Sequence, residues 1–267
     1  MSILQAKRLN HTHLLALAMA SAIFACGKAP PPAWNHPSVE LVWPSPPERA
    51  RIRYQGLLRS AMDLGRSRGL LDTLFGEKPT QMLRPVAVAS SSRGTLVVAD
   101  PGVPTLHFFK LGDRNYQALG QDARSQLRVP VGLAIDSEDR VYVADSGRGA
   151  ILVFSADRKL TKILGESLLD RPTGVALSPE QDRIYVADAK GNRVLVLDLE
   201  GVLQSFWGKE GTEPGEFHTP THIAVAPDGR VSVIDSLNFR VQVFEPDGTL
   251  VSTIGQHGDS AGHFSRP

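Results

Sequence analysis

One pattern recurs along this chain and narrows what it can fold into. Arg84-Pro85-Val86 leads to Val98-Ala99-Asp100, and Val129-Pro130-Val131 leads to Val143-Ala144-Asp145. Arg171-Pro172-Thr173 leads in the same way to Val186-Ala187-Asp188, and Thr219-Pro220-Thr221 to Val233-Ile234-Asp235. Proline and aspartate lie 15, 15, 16 and 15 residues apart, and prolines 85, 130, 172, 220 and 267 recur every 42–48 residues. Each unit contains several short alternating apolar runs, none able to cover its own apolar face without a neighbour. Such a period predicts an all-β protein, a β-propeller with one four-stranded blade per unit.

The last full unit shows how a blade is written. Thr221-His222-Ile223-Ala224-Val225 reads as the inner strand, and Pro227-Asp228-Gly229-Arg230 as a turn. Val231–Asp235 forms the second strand, Ser236–Arg240 a bend, and the alternating Val241-Gln242-Val243-Phe244 the third strand. Glu245–Gly248 then turns into an outer strand closed by Gly255, a glycine repeated as Gly120, Gly165 and Gly208. Three stretches, Pro172–Ala176, Tyr185–Asp188 and Asn192–Val196, resemble the NHL-repeat family of propellers, from about residue 82 to the C-terminus. That resemblance implies the fold; NHL propellers serve as scaffolds, RNA binders and a few enzymes, so it leaves the chemistry open.

Arg51–Gln55 alternates like a third strand and Leu70–Gly76 reads like Leu250–Gly255. Residues 50–76 are therefore expected to supply the two outer strands of a blade whose inner strands come from elsewhere. Phe264-Ser265-Arg266-Pro267 falls where a fifth unit would begin. The expectation is an incomplete ring: four full blades plus the outer strands of another, with six blades in the intact protein as the resemblance implies, or five if a single further pair of strands closes the ring.

Residues 1–25 have the form of a secretory signal, with Lys7 and Arg8 ahead of an apolar stretch, Leu14–Phe24, too short to span a bilayer. Ile23-Phe24-Ala25-Cys26 resembles a bacterial lipobox, which makes Cys26 the expected lipidated residue and places the chain in the cell envelope, on the periplasmic or outer-membrane face. Cys26 is the single cysteine, so no internal disulfide is expected. Residues 26–49 read as a proline-rich, semi-rigid tether, with Trp34 and Trp43 expected to pack against the head, and 50–267 as the propeller. Net charge is +1, or −1 once Lys7 and Arg8 are removed, which argues against nucleic acid as a partner.

Asp100, Asp145, Asp188 and Asp235 have catalytic side chains, but a group repeated in every blade suits a structural task. Each is expected to cap the bend between strands two and three, with Arg193 and Arg240 placed to pair with the last two. In a propeller, ligands gather where the inner strands begin. There Ala87, Gly132 and Gly174 line the axis without chemistry, and His222 is the exception, with His218 and Glu216 before it. His107 qualifies by type only, since it falls in a third strand. The carboxylates or Asn that gluconolactonase-like propellers place on inner strands to hold calcium are missing here. Amidating-lyase-like propellers hold zinc with several histidines at this mouth, which leaves a metal-dependent lyase or hydrolase as the alternative. No Cys-x-x-Cys-His, Gly-x-Ser-x-Gly or P-loop motif occurs, no cofactor is expected, and Gly208–Gly215 reads as a surface connection.

The reading that follows is a non-catalytic, membrane-anchored binding scaffold with a protein partner. Trp43-Pro44-Ser45-Pro46-Pro47 is similar to a stretch found ahead of NHL units in related-looking lipoproteins, which implies association with an envelope or redox assembly such as a cytochrome complex.

Overall fold

The computed structural model describes residues 42–44, 47, 49, 51–54, 56–64, 81–120, 126–265 and 267. The leader, Cys26, Trp34 and the strand expected at Leu70–Gly76 lie outside the described residues. No described helix is long and apolar enough to cross a membrane.

The chain divides into two compact units. One comprises residues 1–82 and 111–116. Its described part holds a two-stranded sheet of β1 (Val42–Trp43) and β2 (Ile52–Arg53), with Val42 opposite Arg53 and Trp43 opposite Ile52. The outer-strand pair expected over residues 50–76 needs Leu70–Gly76, which lies outside the described residues. Pro44 and Pro47 lie between the two apolar runs, so each finds a partner at short loop length, where closure costs least entropy. A 3₁₀ turn, Ala61–Leu64, is fixed by Asp63, whose Oδ2 accepts the Arg59 N–H at 2.5 Å and the Ser60 N–H at 2.8 Å.

The other unit, residues 83–110 and 117–267, carries the blades apart from Asn115 and Tyr116, the first two residues of one outer strand. Blade 1 is β3 (Ala87–Ser90), β4 (Thr95–Asp100), β5 (Thr105–Lys110) and β6 (Asn115–Leu119). Blade 2 is β7 (Pro130–Ile135), β8 (Val141–Asp145), β9 (Ala150–Phe154) and β10 (Leu160–Leu164). Blade 3 runs β11 (Pro172–Leu177), β12 (Arg183–Asp188), β13 (Arg193–Asp198) and β14 (Leu203–Trp207). Blade 4 runs β15 (Pro220–Val225), β16 (Val231–Asp235), β17 (Arg240–Phe244) and β18 (Leu250–Ile254). Each is an antiparallel meander in chain order, and three of the four units open on the repeated proline.

The core lies in layers between blades. Leu106, Phe108, Val143, Leu152 and Phe154 fill the space between blades 1 and 2. Tyr142, Ile151, Val153, Ile184, Leu195 and Leu197 fill that between 2 and 3. Val194, Val196, Phe217, Val231, Val233 and Phe244 join blades 3 and 4, with the Trp207 and Phe244 rings 4.5 Å apart. β8 and β9 are buried on both faces and read as continuous apolar runs. In blade 4, β16 and β17 alternate, with Val231, Val233 and Phe244 packed toward blade 3. At about 1.5–3 kcal/mol per large buried side chain, these layers are the main adhesion between blades.

The innermost strands β3, β7, β11 and β15 are successive neighbours. They meet at glycine. A Cβ on Gly132 would come within 2.9 Å of the Thr173 carbonyl oxygen and 3.1 Å of the Gly174 Cα. One on Gly174 would lie 3.0 Å from the Ile223 nitrogen and 3.2 Å from the His222 Cα. In blades 2, 3 and 4 the register slips just after the proline, between Pro130 and Gly132, Pro172 and Gly174, and Pro220 and His222. Such a bulge bends the strand at the axis. The extra residue in blade 3, Thr173, uses its hydroxyl to bond the Ala187 oxygen at 3.2 Å and the Pro220 oxygen of blade 4 at 2.9 Å.

Candidate functional site

Antiparallel meanders place the start of every inner strand and every bend between second and third strands on one face, here called the upper face. Each repeated aspartate ends a second strand there with none of its surface exposed. Asp100 accepts the N–H of Leu83 (2.5 Å), Arg84 (2.9 Å) and Gly102 (2.9 Å). Asp145 accepts those of Arg128 (2.7 Å), Val129 (2.8 Å), Gly147 (3.1 Å) and Arg148 (3.1 Å). Asp188 holds Asp170 (3.2 Å), Arg171 (2.8 Å) and Gly191 (3.4 Å), and also the Arg193 side chain at 3.3 Å. Asp235 binds the His218 N–H at 2.7 Å, together with Arg240 and Asn238, both at 2.8 Å, and Gln242 at 3.3 Å. The cap therefore does more than close its own bend. It fastens the segment arriving from the preceding blade, a contact across 16 to 18 residues of chain in the first three blades.

His107 is wholly buried in β5, its Nε2 3.7 Å from Asp100, at the position that Gln242 holds in blade 4. Burial depresses its pKa, against a smaller opposing pull from Asp100. His222 stands on β15 with surface open to solvent, and the desolvation that the strand does impose also lowers its pKa. His218 is exposed, its main-chain oxygen accepting the Leu237 N–H at 3.1 Å. Glu216 turns back into its own connection: its carboxylate accepts the Glu213 N–H at 3.0 Å and pairs with Lys209 at 3.1 Å, and these contacts lower its pKa. Among the described residues no group of three or more His, Cys, Asp or Glu is placed to hold a metal ion.

The connection at 208–217 is more than the surface loop the sequence suggests. Phe217 is fully buried between blades 3 and 4, beneath Gly208, and a bridge joins it to Glu210. The pattern repeats at 255–264, where His257 bridges Phe264 and Phe264 lies beneath Gly255. The shared spacing Gly-x-x-Gly-x-x-x-Gly-x-Phe was available in the sequence as the signal. On the opposite, lower face, a cleft of about 280 Å³ between blades 3 and 4 is lined by Glu180, Asp182, Arg183, Tyr185, Asp228 and Pro246.

The upper face also displays apolar side chains that sequence reasoning passed over. Leu83 is 65% exposed, Leu237 52%, and Val86, Val129 and Leu168 between 36% and 38%. Arg84, Arg128 and Arg171, next to the prolines that open the inner strands, are exposed as well.

Residues 127–154 and 169–197, spanning β7–β9 and β11–β13, match the NHL repeat. No curated protein matches the sequence. Solved structures of similar fold include a streptogramin B lyase, with 14% identity and a TM-score of 0.53 over 67% of this chain and 56% of that one. A nidogen/laminin complex gives 17% identity and 0.53 over 67% and 68%. A gluconolactonase from Xanthomonas campestris gives 20% and 0.51 over 66% and 62%. The chain spans less than two thirds of the length of the lyase and of the gluconolactonase. At such identities the likeness is one of fold. The protein is a β-propeller of four-stranded blades in an incomplete ring, and it carries NHL repeats.

Proposed function

We propose that this protein is a lipid-anchored, extracytoplasmic propeller that works as a non-catalytic docking scaffold for a protein partner in the cell envelope. The observation that carries this reading is the composition of the upper face. Its repeated carboxylates are spent on main-chain N–H groups and, at Asp188 and Asp235, on side chains as well, while Leu83, Val86, Val129, Leu168 and Leu237 remain open beside arginines. Exposed apolar side chains interleaved with arginine are what protein interfaces use. Cys26 would supply the anchor, and the proline-rich segment after it would hold the face away from the membrane. A partner in a redox assembly is consistent with the similarity of the Trp43–Pro47 stretch to that of related-looking lipoproteins.

Two measurements test this. Intact-mass comparison of wild type with Cys26→Ser must show the mass of attached acyl chains, and equal masses apart from the substitution would refute anchoring. Crosslinking in intact envelopes should capture a partner with wild type and lose it with Leu83→Asp/Leu237→Asp; capture that survives both changes would refute docking through this face.

A metal-dependent lyase or hydrolase is the second reading, favoured by His222 standing on an innermost strand and by folds shared with a lyase and a gluconolactonase. Elemental analysis of the purified protein decides it: stoichiometric zinc or calcium lost in His222→Ala would support the enzyme.

A further inference from the structure

Resting on the docking reading above, we infer that the upper face is built to receive an acidic polypeptide segment, gripped by Arg84, Arg128 and Arg171. These residues belong to successive blades and lie one or two positions ahead of the proline that opens each unit. Their backbones are fixed: the N–H groups of Arg84, Arg128 and Arg171 donate to Asp100, Asp145 and Asp188 at 2.9, 2.7 and 2.8 Å. Their side chains are exposed and make no ion pair among the described residues.

Among the acids of this face Glu166, Asp170 and Glu216 are already matched, whereas Glu210 and Glu213, on the connection into blade 4, are exposed and carry no ion pair among the described residues. Glu166 pairs with Arg148 at 3.0 Å, Asp170 with Lys190 at 3.6 Å and Arg193 at 3.7 Å, and Glu216 with Lys209 at 3.1 Å. The buried aspartates are compensated by the N–H dipoles aimed at them. What remains uncommitted on blades 1 to 3 is a set of guanidinium groups repeating with the blades, interleaved with Leu83 and Val129. Guanidinium matches carboxylate in planar two-point geometry, and its fixed main chain reduces the ordering cost of binding. Three cations, one to a blade, are too sparse for a nucleic-acid strand, which carries a charge roughly every 3.4 Å. Acidic side chains spaced among apolar ones fit the face better.

The test uses the whole chain and a fluorescein-labelled peptide of about twelve residues alternating Glu and Leu, with binding read by anisotropy. Wild type is expected to bind it, with affinity falling as salt rises from about 0.05 to 0.3 M. Arg84→Gln/Arg128→Gln/Arg171→Gln should weaken binding by about tenfold or more, while the Lys triple variant, which keeps the charge but loses the two-point geometry, should fall between it and wild type. The aspartate contacts use backbone N–H groups, so both variants keep them, and unchanged thermal unfolding verifies the fold. No binding by wild type, equal binding by the Gln variant, or tighter binding of a single-stranded oligonucleotide of equal charge would each overturn the inference. Envelope crosslinking that still captures a partner in the Gln variant would overturn it too while leaving the docking reading intact. Loss of capture only in the Leu83→Asp/Leu237→Asp variant has the same meaning.

Discussion

Asp145→Ala is the sharpest test of how these blades are held. The carboxylate is fully buried and receives four main-chain N–H groups at 2.7 to 3.1 Å. Hydrogen bonds to a charged acceptor contribute about 1.5–3 kcal/mol each when counted singly. They are not additive here, because the Gly147 and Arg148 bonds share one oxygen and water can reach a part-opened bend. A loss of about 4 kcal/mol is therefore expected, a large share of a total stability of about 5–15 kcal/mol. With a urea slope of about 2–3 kcal/mol per molar, the midpoint should fall by roughly 1.3–2 M. Asp145→Asn keeps one acceptor oxygen but turns an amide toward donors, and should recover only part of the loss. Urea unfolding followed by tryptophan fluorescence and by far-ultraviolet circular dichroism gives the number. A shift of less than about 0.5 M for the Ala variant would refute the fastening role and return the repeated aspartates to the list of groups kept for chemistry.

Gly174→Ala should cost about 1–3 kcal/mol, because its Cβ would press on the Ile223 main chain at 3.0 Å; thermal unfolding within 1 °C of wild type would contradict the close approach of the inner strands. Phe244→Ala removes a ring in contact with both Trp207 and Phe217 and should cost about 3–5 kcal/mol by denaturant titration. His107 and His222 have depressed pKa values, so each takes up a proton on unfolding once the pH falls below the ordinary histidine value of 6.5. Stability is then complete above that value and declines as pH falls through it toward the folded-state pKa. His107→Gln, copying Gln242, should flatten the pH dependence of the melting temperature between about pH 5 and 7, and an unchanged slope would contradict it.

Much of the fold was legible because its cause is local and repeated. Pro130, Pro172 and Pro220 open their inner strands, and the apolar alternation of Val241–Phe244 survives as β17. Gly132 and Gly174 also announced the crowded axis. What escaped was set by tertiary contact. The aspartates' farther partners are backbone N–H groups, present at every residue except proline, so no side-chain pattern reveals them. Ile52–Arg53 has strand character but no partner written into it, and it pairs with the nearby Val42–Trp43 run. Phe217 was hidden by its surroundings, since nine glycine-rich and charged residues precede the one ring that goes inward. Of the mouth residues chosen by type, His222 stands on an inner strand and Glu216 folds into its own connection.

Each aspartate clasps residues of its own unit, from the incoming segment to the second strand, whereas apolar layers provide most of the adhesion between units. A blade thus travels with its own buckle. Gene duplication can copy one, and recombination can swap one, without inventing a new joint, provided the oily flanks match. The same arrangement assigns mechanical weakness to the seams, so stress on the ring should part it between petals before any petal unravels.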